Sequence, residues 1–207
     1  MTPFTMLSAR ACPLPLQGVD TDQLIPARFM KRSRAEGYGG QLLHDMRFGA
    51  DGTPVADFPL NQPRFAGAQI LVARRNFGTG SSREAAVYAL ADFGVRCVIA
   101  ASFGEIFAAN AVNNGVLPAR VSEAEAEMLL DQLDRGDPGA VRVDLEARTI
   151  TMGNQSINFH ITPAWRTRLL NGWDDLDLTL SHRAAIDRFQ EADRIARPWA
   201  AVVAQGR

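Results

Sequence analysis

The segment Ile70 to Leu90, ILVARRNFGTGSSREAAVYAL, constrains the fold more than any other stretch of the chain. Its apolar opening, running to Ala73, is too short for a helix and suits a buried strand. Gly78 and Gly80 then break the pattern, and apolar residues at helical spacing follow the paired serines Ser81 and Ser82. The segment therefore reads as strand, glycine turn and helix. Ser81-x-x-Glu84 fits a capping box, in which the serine oxygen accepts from a first-turn amide, so the helix is expected from Ser81 to Phe93 with Gly94 as its C-cap. Capping is one job for these residues. A second comes from Arg83, which stands beside two hydroxyls and two glycines at the positive end of a helix, a place suited to a carboxylate or phosphate.

The same alternation continues downstream. A strand RCVIAA, a helix from Phe103 to Asn113 ending near Gly115, and a strand within Val116 to Val121 give an α/β chain with parallel pairing through right-handed crossovers. Ligands in such sheets sit beyond the carboxyl ends of the strands, where the Gly78 to Arg83 turn lies. Ser122-x-x-Glu125 opens a helix to Arg135, and short strands are expected at Val141 to Leu145, Thr149 to Met152 and Ser156 to Ile161, the last two joined at Gly153-Asn154. Pro163 opens a helix to Asn171, and a C-terminal helix, capped by Ser181 or His182, spans about Arg183 to Ile195 before Pro198 and a loose tail, AVVAQGR. The opening Met1 to Leu16 reads as irregular, Asp20, Thr21 and Asp22 as a turn, and Lys31 to Phe65 as a long connection whose first part, near 31–50, is a lid from which Arg32 and Arg34 reach a substrate. All of this fits one domain.

Charge and composition narrow the partners. With 22 basic and 23 acidic residues and no run of either sign, nothing points to nucleic acid or an anionic membrane. The start lacks a basic stretch followed by an uninterrupted apolar one, and no segment is apolar enough to span a bilayer, so a cytoplasmic location is expected. Two cysteines make no disulfide framework, and Cys97 reads as a small buried thiol. Three scattered histidines and no CxxC or HExxH spacing give this chain no metal site of its own.

Gly78-Thr79-Gly80-Ser81-Ser82-Arg83 is neither a dinucleotide fingerprint, which needs glycine where Arg83 stands, nor a Walker A loop, nor a G-x-S-x-G elbow. What it offers is hydroxyls, amides and a guanidinium that grips a carboxylate bidentately. Such a set holds an organic acid and can remove its proton, provided that the site is close-fitting and dry.

NFGTGSSRE, with VDTDQLIP upstream, SFGEIFAANAVNNGVLPARVS downstream, FPLNQPRFAGAQILVARRNFG and the late NGWDDLDLTL, resembles the small subunit of 3-isopropylmalate dehydratase, a relative of the aconitase C-terminal domain. The resemblance runs over most of the chain. It implies a swivelling β/β/α three-layer domain, paired with a large subunit that carries a 4Fe-4S cluster, and the isomerisation of 2-isopropylmalate to 3-isopropylmalate by dehydration and rehydration in leucine biosynthesis. By position Ser81 is similar to the family's serine base, Ser82 and Arg83 to its substrate-carboxylate contacts, and Asp22, with Thr21 beside it, to an acidic residue that arranges the site. Expelling hydroxide from an alcohol calls for a Lewis acid, which a partner would bring. Thr79 stands where the family usually has Cys, Ala85 where it has His, Val87-Tyr88 where it has Pro-Trp, and Ala35, after Arg34, where a basic residue is common. These departures keep two competing readings open: a paralogous subunit for another 2-hydroxy dicarboxylate such as citramalate, and a non-catalytic interaction module.

Overall fold

The computed structural model describes residues 1–31, 33–136 and 139–200, so Arg32 and the tail from Ala201 to Arg207 lie outside the described residues. Two four-stranded sheets organise the chain. The first is wholly parallel, in the order β2 (Ala11–Leu14), β3 (Ile70–Ala73), β4 (Cys97–Ala100) and β5 (Leu117–Arg120). The first three of these strands are buried at every residue, as expected where both faces of a parallel sheet are covered.

One face, carrying Leu14, Leu71, Ala73, Val98 and Ala100, packs with α3 (Glu84–Phe93) and α4 (Glu105–Asn113). The opposite face, carrying Ile70, Val72, Ile99 and Leu117, packs with α5 (Glu123–Arg135) and with Val141, Val143, Ile150 and Met152 of the second sheet. That second sheet is antiparallel, in the order β1 (Met6–Ala9), β6 (Val141–Asp144), β7 (Thr149–Met152) and β8 (Gln155–Asn158). Sheet, sheet and helices stack as the expected β/β/α layers.

The opening is not irregular. It forms β1 and β2, which part at Arg10 and enter different sheets. Pro13 hides β2 from a reading by propensity, yet β2 is the edge of its sheet, where a missing amide costs no ladder bond. The Asp20 to Asp22 turn is the start of a one-turn helix, α1 (Thr21–Leu24), with Asp20 as N-cap in a reciprocal box with Gln23. Segment 31–50 contains α2 (His44–Arg47) and short 3-10 turns, and it buries Tyr38, Leu42 and Leu43 in the core beside α3.

The capping box at Ser122 forms as expected, and Thr162 caps α6 (Pro163–Asn171). A helix absent from the sequence reading, α7 (Asp175–Ser181), is capped by Asp174 with Asp177, and α8 (Arg183–Ala196) follows His182, whose side chain makes no cap bond. Among the described residues no helix is long and apolar enough to cross a membrane.

Cys12 and Cys97 are both fully buried on the parallel sheet. Burial pushes the Cys12 thiol up to about 12 and the Cys97 thiol higher still, because the thiolate cannot be hydrated there. Both thiols are therefore expected to resist alkylation and disulfide exchange in the native chain at mildly alkaline pH and to react in full in denaturant. A thiol titrated rapidly in the native state would contradict the packing.

Candidate active site

Beyond its last residue, β3 runs on as an irregular strand that is stitched on both sides. Gly18 N–H donates to the Arg75 carbonyl (2.9 Å), Gly78 N–H to Val19 (2.7 Å) and Thr21 N–H to Thr79 (2.9 Å) on the β2 side. On the β4 side Phe77 N–H donates to Ser102 (3.0 Å) and Gly104 N–H to Phe77 (2.9 Å). Asn76 takes a left-handed conformation, held by the Ser102 hydroxyl on its N–H (2.8 Å).

Two glycines make this possible. Gly78 has φ +73°, and a β-carbon there would overlap the Phe107 ring; one on Gly104 would overlap the Gly78 carbonyl. The turn thus lies directly on the amino end of α4.

The helix after the turn begins at Glu84, two residues later than a cap at Ser81 would start it, and the Ser81 box does not form. Arg83 is the N-cap, with extended backbone and no side-chain cap bond. The cause lies upstream. Thr21, only 2% exposed, donates its hydroxyl to the Ser81 carbonyl (2.8 Å), which also accepts from Arg83 N–H (2.7 Å), so Ser81 to Arg83 is held out of the helix. Ser81 and Ser82 are exposed, and among the described residues neither hydroxyl has a hydrogen-bond partner.

Arg83 forms an ion pair with Asp22, which sits in the first turn of α1. The carboxylate is about half exposed and the guanidinium less so, which sets the direction of the arginine while leaving its other donors open. Ser81, Ser82 and the turn before them form one wall of a cleft of about 270 Å³, and Gly104–Phe107 forms the other. The amino end of α4 lies in this cleft, and α3 begins two residues after Ser82, so the serines stand near the positive end of one helix and just before that of another.

The structure brings Ser81, Ser82, Arg83, Asp22 and Thr21 together. It does not bring Arg34. That guanidinium forks onto Asp92 near the far end of α3 (2.5 and 2.8 Å) and stacks on Tyr88, 4.3 Å from the ring centre. The sequence reading missed the α4 wall, including Ile106, an isoleucine 54% exposed at the cleft. Its signal is the repeated Phe-Gly after consecutive strands, Phe77-Gly78 and Phe103-Gly104, whose phenylalanines bridge in parallel. Among the described residues no group of three or more His, Cys, Asp or Glu side chains could hold a metal ion.

The family model described as the aconitase C-terminal domain matches residues 1–124, which include every residue of this cleft. The 3-isopropylmalate dehydratase small subunit of Sinorhizobium fredii (strain NBRC 101917 / NGR234) is 46% identical over 201 residues, 97% of this chain and 100% of that protein. The chain belongs to the family of 3-isopropylmalate dehydratase small subunits. A second member, from Jannaschia sp. (strain CCS1), is also 46% identical, over 96% of this chain and 100% of its own length. The crystal structure of a 3-isopropylmalate dehydratase from Methanocaldococcus jannaschii superposes with a TM-score of 0.62 at 26% identity, over 89% of this chain and 99% of that one. The family fold is thus the swivelling α/β domain described above.

If Thr21 positions Ser81 through one buried bond, Thr21→Val is expected to cost about 1 kcal/mol of stability, and Thr21→Ser much less. Gly78→Ala, which combines a left-handed φ with overlap on Phe107, is expected to cost about 3 kcal/mol. Urea denaturation checks both. A neutral Gly78→Ala would show that the turn does not depend on the close approach.

Proposed function

We propose that the chain is the small subunit of a 3-isopropylmalate dehydratase and supplies the proton-transfer half of its active site. One observation carries the reading: two exposed hydroxyls with no internal partner among the described residues stand beside a carboxylate-held arginine, in a chain aligned end to end with such subunits.

Arg83 takes a carboxylate of the 2-hydroxy dicarboxylate substrate through the guanidinium donors that Asp22 leaves free, and Ser82 adds a hydroxyl to the same contact. Ser81, as alkoxide, removes the proton from the carbon next to the carbinol carbon. The C–H electrons form the double bond as hydroxide leaves, for which a Lewis acid on the partner would be the acceptor; in the return half Ser81 gives its proton to the former carbinol carbon and hydroxide adds to the other carbon. An alkoxide is costly in water. The amino end of α4 at this cleft and the neighbouring guanidinium lower its cost, and docking of a partner over an open cleft would exclude water. Thr21 and Asp22 act by position, one on the Ser81 carbonyl and the other on Arg83.

A 4Fe-4S cluster does not fit this chain. Its two thiols are buried on the sheet, and its described residues offer no ligand group. The cluster would belong to a large subunit, with which this chain forms the complete enzyme in the cytoplasm.

The isolated chain is expected to be inactive, and the complex reconstituted anaerobically with a cluster-bearing large subunit to interconvert the two isopropylmalates in preference to citramalate. In that complex Ser81→Ala is expected to lower kcat by about 100-fold or more, and Arg83→Lys mainly to raise KM. Full turnover by an assembled Ser81→Ala complex would sink the role given to Ser81.

A further inference from the structure

A second cleft, of about 280 Å³, lies on the other side of the first turn of α4, between that turn, the end of β5 and the start of α6. Its walls are apolar where Ala108, Pro118, Ile161 and Trp165 contribute, and two opposite charges line it, Arg120 and Glu105. Both charged residues are exposed, and among the described residues neither is in an ion pair. Most other arginines at structured positions of this chain are matched to a carboxylate, as Arg34, Arg74 and Arg83 are.

Arg120 is held in place rather than loose. Its backbone pairs with His160 in both directions (3.2 and 2.7 Å), and its guanidinium lies 3.3 Å from His160 Nδ1. Arginine has no acceptor to offer, so Nδ1 accepts in that contact and the guanidinium is oriented by it. Thr162 adds a hydroxyl at the same rim; its oxygen caps α6 and its proton remains available.

We propose that this cleft binds a free α-amino acid with an apolar side chain. The carboxylate lies on the Arg120 fork with the Thr162 hydroxyl, the ammonium on Glu105, and the side chain against Ile161, Pro118 and the Trp165 ring. The charge pattern selects a zwitterion: a simple carboxylic acid leaves Glu105 unmatched at the rim, and a simple amine leaves Arg120 unmatched. The size agrees, since the cleft lies just below the range of about 300–1,000 Å³ usual for drug-sized ligands. Glu105 also borders the cleft with Ser81, so one turn of helix separates the two sites.

The test is a titration of the full-length chain with L-leucine and L-phenylalanine, followed at the Trp165 indole N–H by NMR. The parallel arms are 4-methylpentanoate, which lacks the ammonium of leucine, and isopentylamine, which lacks its carboxylate. Saturable binding of either amino acid is expected, with both truncated analogues weaker by about tenfold or more. Arg120→Met and Glu105→Gln are each expected to weaken amino-acid binding by about the same factor with the unfolding midpoint unchanged. Should Arg120→Met not fold, Arg120→Lys takes its place, keeping the charge but losing the fork. Ser81→Ala is expected to bind like the unaltered chain, which separates this site from the reading of the catalytic cleft. Absence of saturable binding, or equal binding of amino acid and truncated analogues, would overturn the proposal.

Discussion

The backbone of residues 75–79 is held by hydrogen bonds from the chain after β2 on one side and the chain after β4 on the other, and the rest of the site depends on that double pairing. Parallel strands normally release their chains to helices at this edge. Here β3 is extended past the sheet, so the turn after it emerges at a fixed height above the carboxyl ends. The same pairing brings Thr21 under the Ser81 carbonyl, Asp22 against Arg83, and the start of α4 against Gly78. Three segments, residues 18–22, 75–83 and 102–107, thereby share one corner.

That corner explains why the serines are available. A serine at the start of a helix is ordinarily consumed by capping. In this chain the Thr21 hydroxyl fixes the Ser81 carbonyl and delays the helix to Glu84, so the cap falls to Arg83, which uses no side-chain bond for it. The Ser81 and Ser82 hydroxyls are left facing an open cleft, and the guanidinium that would otherwise swing freely is set by Asp22. An open constellation of this kind agrees with a family whose members are named as subunits.

Much of this was legible in the sequence because its signals are local. The alternation of β3, α3, β4, α4, β5 and α5, the box at Ser122, the Gly153-Asn154 turn and Pro163 at the start of α6 rest on spacing and on single residues with strong preferences. What failed depends on partners distant in sequence. The pattern Ser81-x-x-Glu84 is a correct local signal overridden by Thr21, sixty residues upstream. Strand β1 alternates only between exposed and half-buried positions, and β2 contains a proline tolerated only because its sheet position is an edge. The contacts of Arg34 with Asp92 and Tyr88 on α3 likewise join residues far apart in sequence and could not be read from its own segment. The α4 wall left a trace in the repeated Phe-Gly pair, whose meaning lies in the pairing of Phe77 with Phe103.

The central claim is that this chain owns the proton-accepting face of a site completed by another chain. It is tested most directly by the distance, in a structure of the assembled complex with a bound substrate analogue, between Ser81 Oγ and the carbon that loses its proton. The account predicts contact within about 3.5 Å, with Arg83 on a carboxylate of the same molecule. A complex in which Ser81 is buried against the partner chain, away from the analogue, would contradict it.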